Sequence, residues 1–298
     1  MASNFKGDDM RTTLNPGIMR TIIYIFIGST IISSCLPEPL DVKGVPVVKP
    51  QIVVSTQIIP DQSVIVLLTK TFGALDASDD SDPEELLNQI AIEDAVVTIA
   101  GPKGTYQLEA LQNGLYGGLI IPFEEGEEYE LNVNSESLGQ VTAVTTVKPL
   151  VSFDDIKAEL VFNGYDDTLA QITYQLSDPV EQNWYMLNVQ QIERDEILDD
   201  LLNPRAFTRL MDDRNFNERV HKETFRVFPR DFIPGDTIAV SLSNISRDYY
   251  DFVDLRLDNR FSFVEFLGEP VNYPSNVKGG KGFFNLYIPD IKVFVLEY

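Results

Sequence analysis

The residue best placed to do chemistry is Cys35, the only cysteine among 298 residues, which follows Ile32-Ser33-Ser34. An extended backbone with two small side chains ahead of the thiol gives a peptidase access to the Ser34–Cys35 bond, and the sulfur can then carry a thioether-linked lipid. A buried free thiol is the competing fate of a lone cysteine, but position and neighbours favour the lipid. Other reactive groups are sparse. His221 is the only histidine, so any Ser-His-Asp or Cys-His arrangement, which needs an imidazole to move a proton, rests on it alone. No Gly-x-Ser-x-Gly elbow accompanies it, and it reads as a polar residue at a strand edge. One histidine and one cysteine nearly exclude a zinc site, which takes several such ligands. Gly279 to Phe284, Gly-Gly-Lys-Gly-Phe-Phe, lacks the Ser/Thr and the upstream spacing of a phosphate loop.

Two softer patterns remain. Asp76 to Glu85 holds six acidic residues in ten, and hard oxygen ligands at short intervals could take calcium, with Asp79, Asp80, Asp82 and Glu84 as the candidates. The competing reading is a solvated loop of self-repelling charges, favoured by the absence of an Asp-x-Asp-x-Asp-Gly order. Trp184-Tyr185, Tyr249-Tyr250 and Phe283-Phe284 are aromatic doublets. Trp184, Tyr249 and Tyr250 could form a stacking platform for a sugar or peptide, although alternation along a strand sends one member of each pair inward and core packing is the stronger expectation. Two carboxylates suffice for glycoside hydrolysis, but a chain this acidic offers many pairs by chance.

The residues ahead of Cys35 explain why its thiol is singled out. Ile22 to Ile32 is an apolar run too short for the roughly 20 residues of a membrane span, whereas Met19-Arg20, that run and Ser33-Ser34 supply the basic start, apolar stretch and small residues of a secretory signal. Together with Cys35 they resemble the bacterial lipobox. Residues 1–34 are therefore expected to be upstream sequence and signal peptide, with translation starting at Met19 or Met10, and no cofactor is expected beyond covalent lipid on Cys35 and calcium.

Removing residues 1–34 leaves 20 Lys/Arg and 44 Asp/Glu, a charge of −24 on a chain that carries −23 in full. Binding to nucleic acid depends on neutralising phosphates with basic side chains, so that partner is excluded, and attachment to a membrane must come from acyl chains.

The elements that would position a site are mostly strands. Residues 35–50 contain four prolines after Cys35 and form an extended tether. Residues 51–148 carry seven short runs rich in Val, Ile, Thr and Tyr (51–57, 63–70, 95–100, 105–110, 115–121, 128–133 and 141–147), with Asn113-Gly114 as a hairpin turn. Seven strands in about 97 residues predict an immunoglobulin-like β-sandwich. After Lys148-Pro149 a second β-rich domain, 149–298, is expected, with strands at 158–164, 168–176, 184–192, 223–228, 236–244 and 291–298. Two helices are predicted within it, at 194–203 and at 246–258, the latter capped by Ser246. No repeat stands out at periods of 20–50 residues.

Asp236 to Leu255, with its Asp-Thr strand and Tyr-Tyr helix, followed by Pro270-Val271 and Asn276 to Phe284, resembles the close of the Bacteroidota lipoprotein family known as domain of unknown function 4249. Asn183-Trp184-Tyr185 matches that family's strand opening, and Met211 to Glu218 lies where it often has a Phe-Asn-Gly-like turn, with Glu218 in the glycine's place. The resemblance covers residues 36–298. It implies an outer-membrane lipoprotein with an N-terminal sandwich, often encoded beside TonB-dependent transporters, and establishes no catalytic residues. The glycines at 279, 280 and 282 mark positive φ or a close approach to another chain. The expectation is a non-enzymatic, lipid-anchored outer-membrane protein that assists a TonB-dependent barrel in nutrient uptake. A surface adhesive or structural module, and less favourably a carboxylate-dependent glycan hydrolase, are the alternatives.

Overall fold

Alternation of apolar and polar residues dictates strands here, and the burial pattern follows it: Glu128–Ser135 and Gly139–Thr146 each bury every second side chain. The structure, a computed structural model, describes residues 49–58, 63–71, 83–117, 120–164, 168–192, 207–227, 232–259 and 273–298. The described residues fall in one compact unit, mostly β; residues 1–48 lie outside them.

The first set comprises eight strands in seven positions: β1 (Ile52–Ile58), β2 (Val64–Lys70), β3 (Ala95–Gly101), β4 (Gly104–Gln107), β5 (Glu109–Ala110) with its antiparallel partner β6 (Leu115–Gly117) as the fifth position, β7 (Glu128–Ser135) and β8 (Gly139–Thr146). β1, β2, β6 and β5 lie side by side in one sheet; β8, β7, β3 and β4 lie in the other. The second set comprises β9 (Phe153–Phe162), β10 (Thr168–Ser177), β11 (Trp184–Gln191), β12 (Phe207–Asp212), β13 (Val220–Arg226) and β14 (Thr237–Ile245). It ends with β17 (Asp290–Val295), after a long excursion that contains helix α2 (Arg247–Asn259), β15 (Val277–Lys278) and β16 (Lys281–Phe283). Here β9, β10 and β13 pair in one sheet, and β17, β14, β11 and β12 in the other.

The two sets share one plan. In each, the first, second and fifth strands form one sheet while the seventh, sixth, third and fourth follow in that order in the other. This is the immunoglobulin-like arrangement, present twice, so the second β-rich region is also a sandwich.

Three local differences from the sequence expectation have physical causes. The run 105–110 is not one strand: β4 pairs with β3, then Leu108, buried, carries the chain across to the other sheet, where β5 pairs with β6. β9 begins at Phe153, five residues early, because a bulge opposite Gln175 and Leu176 leaves both Asp154 and Asp155 exposed and erases the period-two signal. Pro83–Ile90 forms a helix, α1, in what reads as the end of an acidic loop; proline at the first helical position supplies a preset φ. The hairpin at 113–114 forms with Asn113 at φ 56 and Gly114 at φ 74, and the Leu115 amide donates to the Gln112 carbonyl at 3.1 Å.

Each sandwich has its own core. That of the first gathers Val54, Val66, Leu68, Ile99, Leu131 and Val133; that of the second gathers Ile172, Tyr185, Leu187, Val189, Val240 and Leu242. Residues from the excursion belong to the first: Val277, Phe284, Leu286 and Tyr287 lie in its core. β16 runs parallel to β1 (Val54 opposite Gly282) while β15 runs antiparallel to β8 (Val277 opposite Ala143), so the two short strands extend one sheet each, at its first and last strand respectively. A Cβ at Gly282 would stand 2.0 Å from the Val54 carbonyl oxygen, and its φ of 94 suits glycine.

Candidate functional site

The sheet β12-β11-β14-β17 is the element that organises the molecule's contacts, because alternation gives it two working faces. Its inner face supplies Tyr185, Leu187, Val189, Val240 and Leu242 to the second core. One end of its outer face, Met186 and Ile245 with Trp184 and Leu210 beside them, packs into the first core, and α2 lies against β11. Trp184 and Tyr185, adjacent in sequence, thus serve different cores.

Beyond that end the outer face continues in register. Thr208, Asn188, Ser241 and Ile291 form one row; Gln190, Ala239 and Val293 the next; Thr237 and Val295 the last. No member of these rows is charged, in a chain where 23% of residues are. Val293 and Val295 are each 58% exposed, and the Thr208 hydroxyl donates to Asn188 Oδ1 at 2.8 Å. Depletion of charge with exposed aliphatic groups is the composition of an interface centre, which makes this face the candidate binding surface.

The aromatic residues are consumed elsewhere. Tyr249 and Phe252 of α2 contact Phe283 with ring centroids 5.4 and 5.3 Å apart, and Tyr249 also meets Tyr287 at 6.5 Å. Tyr250 is half-buried against the first core, and burial pushes its hydroxyl pKa up. The Ser246 hydroxyl accepts the Tyr249 amide at 3.3 Å, capping α2 as its sequence predicts. Trp184, Tyr249 and Tyr250 therefore serve as packing rather than as one open platform.

His221 sits on β13, at the edge of its sheet, where the sequence reading places it. Its ring stacks on Phe216 at 4.2 Å, and its Nε2 is 3.6 Å from Glu223 Oε2. Glu223 also pairs with Arg209 of β12 and accepts the Tyr174 hydroxyl at 2.9 Å. Burial, then the Glu223 carboxylate, drives the Tyr174 pKa up. The group spans β12 and β13, closing the second sandwich along that side. A second buried group holds the turns at 178–183 and 213–219. Asp178 accepts the Tyr185 hydroxyl and the Glu218 amide, the latter at 3.0 Å, while Asp213 accepts the Asn183 amide at 2.5 Å. Burial, with Asp178 and Asp212 nearby, holds the Asp213 pKa above its ordinary value. Glu218 adopts φ 59, the left-handed conformation that favours glycine.

A groove of about 600 Å³ opens on the first sandwich between Pro50, Lys70, Asn88, Ile92, Glu93, Asp94 and Ser137. Two of its carboxylates bond within the fold: Asp94 takes the Ser135 hydroxyl at 2.8 Å and the Ser137 amide at 2.9 Å, and Glu93 takes the Asn113 amide at 3.3 Å. The hydrogen bond from Ser137 holds Asp94 below the ordinary carboxylate range.

Of the other sequence-predicted residues, Ser34, Cys35, Asp79, Asp80 and Asp82 lie outside the described residues, as does the expected helix at 194–203; Glu84 falls in the first turn of α1. Among the described residues no three His, Cys, Asp or Glu side chains gather as metal ligands, and no helix is long and apolar enough to cross a membrane. The uncharged outer face is not legible in the sequence. Its signal, uncharged residues at every second position in 186–190 and 237–245, is visible only once the strands are known to be neighbours.

No curated protein matches the chain. Among solved structures, a two-domain fibronectin type III segment from chicken tenascin matches at 10% identity over 66% of this chain and 91% of that one, with a TM-score of 0.20, too low to bear on the arrangement described above. The family described as Domain of unknown function (DUF4249) matches residues 38–290, and the chain belongs to it.

Proposed function

We propose that this chain is a non-enzymatic lipoprotein of a Bacteroidota outer membrane, held by acyl chains on Cys35, that assists a TonB-dependent barrel in nutrient uptake by docking through the uncharged outer face of β12-β11-β14-β17. The observation that carries the docking is that face: nine neighbouring outward positions without a charge, of which Val293 and Val295 are exposed and Ala239 is buried between its neighbours. On a body this acidic, most of the surface repels another acidic protein, whereas an uncharged face can be desolvated at little electrostatic cost. The anchor rests on Ile32-Ser33-Ser34-Cys35 and the apolar run before it. Two or three acyl chains supply the stable attachment that a single chain does not.

Affinity capture of the tagged protein from detergent-solubilised outer membranes tests the reading. A barrel is expected in near-equal amount with the native sequence and is expected to disappear with Val293→Asp combined with Val295→Asp, both surface changes. Recovery of the native protein by itself would remove the transporter role and favour the adhesive module. Cys35→Ala is expected to abolish incorporation of labelled palmitate and to release the protein from the envelope fraction.

A further inference from the structure

The first sandwich borrows the strands that seal its side. Its first and last strands, β1 and β8, pair with β16 and β15, which arrive more than a hundred residues after β8. Phe284, Leu286 and Tyr287 then fill the first core at 0%, 1% and 6% exposure. Two side-chain bonds fasten the segment to β8, and two more brace it internally. Asn276 donates to the carbonyls of Val144 and Phe284, at 3.1 and 2.7 Å, and accepts the Phe284 amide at 2.9 Å. The buried Asn285 accepts the Thr145 hydroxyl at 3.3 Å. Gly280 and Gly282 lie so close to the Ile52 and Val54 carbonyls that a Cβ would meet them at 2.5 and 2.0 Å.

The second sandwich closes the same side with its own chain. The Leu160 amide of β9 donates to the Glu297 carbonyl at 2.9 Å, and the Phe153 amide donates to Asp290 Oδ2 at 2.9 Å, joining its first strand to the end and start of its last. At its C-terminal end the borrowed segment runs directly into β17 of this sandwich, and α2, which lies against β11, meets it through Tyr249 and Phe252 on Phe283.

We propose that residues 273–289 are a strap by which the second sandwich holds the first closed, so that structural dependence runs one way. The second sandwich fills its inner core and joins its first and last strands with its own chain, and only Met186 and Ile245 on its outer face are buried by the first core; the first has open edges and an unfilled core until the strap is seated. Unsatisfied edges and missing core side chains are what separate a locally opening unit from a protected one.

Hydrogen exchange read by mass spectrometry on the full chain tests this. Gly282→Val drives a branched side chain into the Val54 carbonyl, and is expected to raise exchange in β1, β7 and β8 by about 100-fold or more, while β10, β11 and β14 keep their protection. Asn276→Ala, a milder loosening, is expected to give a smaller rise in the same three strands. If Gly282→Val yields no soluble protein, Asn276→Ala decides alone. Unchanged exchange in β1 and β8, or an equal loss of protection in β10, β11 and β14, would overturn the strap.

Discussion

Two sandwiches with the same strand order solve one problem in different ways. A two-sheet body leaves edges that must be covered. The second sandwich covers its first and last strands by laying β9 beside β17 and its opposite side with the Arg209-Glu223-Tyr174-His221 group. The first covers β1 and β8 with two short strands taken from the other's sixth-to-seventh connection. A connection that normally only turns the chain is here the joint of the molecule. Shared topology therefore does not imply shared independence.

The largest expected effect comes from emptying each core in turn. Leu131 on β7 and Leu187 on β11 are both fully buried, one in each core. Truncation to alanine of such residues costs about 2–5 kcal/mol. Leu187→Ala is expected to lower the stability of both sandwiches, because the strap loses its anchor, whereas Leu131→Ala opens the first alone. Trp184, the only tryptophan, stands on β11 against the first core and reports the junction by fluorescence. Its emission during denaturant unfolding should coincide with the loss of far-ultraviolet circular dichroism for Leu187→Ala and should precede it for Leu131→Ala. Coincidence in both variants would make the two sandwiches mutually dependent.

A smaller effect distinguishes the turns. Each sandwich holds one described non-glycine residue at positive φ, Asn113 in the first and Glu218 in the second. Asparagine visits that conformation readily, whereas a longer side chain costs about 1–2 kcal/mol there. Glycine relieves that strain but enlarges the freedom of the unfolded chain. Glu218→Gly is therefore expected to stabilise by about 1 kcal/mol or less, since the bond from its amide to Asp178 is a backbone bond and survives. Asn113→Gly should change stability by about half that or less, and by chemical denaturation the two shifts should differ in sign or size. Equal shifts would mean that the Asp178 carboxylate already offsets the strain at Glu218.

The sequence displays most strands because alternation is a local property, and it shows the hairpin at 113–114 because Asn-Gly dictates its turn by itself. It also marks Gly279, Gly280 and Gly282 as positions of positive φ or close approach, and φ values of 84 and 94 at Gly279 and Gly282 with the contacts to β1 bear this out. What it hides is pairing between distant segments. Nothing in Val277-Lys278 or Lys281-Gly282-Phe283 says that they complete a sheet begun at Ile52, and two or three residues are too few for a periodic pattern. The repeat of the sandwich is hidden as well, since a shared strand order needs no shared residues. The candidate face has the same character: Asn188, Ser241 and Ile291 are unremarkable apart and become a surface only in register.

The smallest effect, and the one that most directly contrasts the two halves, is their response to acid. Asp94, which ties the β7–β8 turn of the first sandwich, has its pKa lowered, chiefly by the hydrogen bond with Ser137. A carboxylate depressed on folding stabilises above its unfolded value, near 3.9, and that stabilisation is lost as pH falls through the folded value. Asp213, 1% exposed in the second sandwich, has its pKa raised, chiefly by burial. There the ionised form is the costly one, so the folded state gains as pH falls through the raised value towards the ordinary one. Asp212, paired with Arg214, is lowered and opposes it, which is why the test uses single variants. In hydrogen exchange between about pH 3 and 6, after correction for the intrinsic rate, Asp94→Asn should flatten the acid-side loss in β7 and β8. Asp213→Asn should instead remove a loss of protection in β11 that grows as pH rises from the ordinary carboxylate value. If both variants flatten the same limb, burial at Asp213 is outweighed by the amide that Asn183 donates to it, and the two turns answer acid alike.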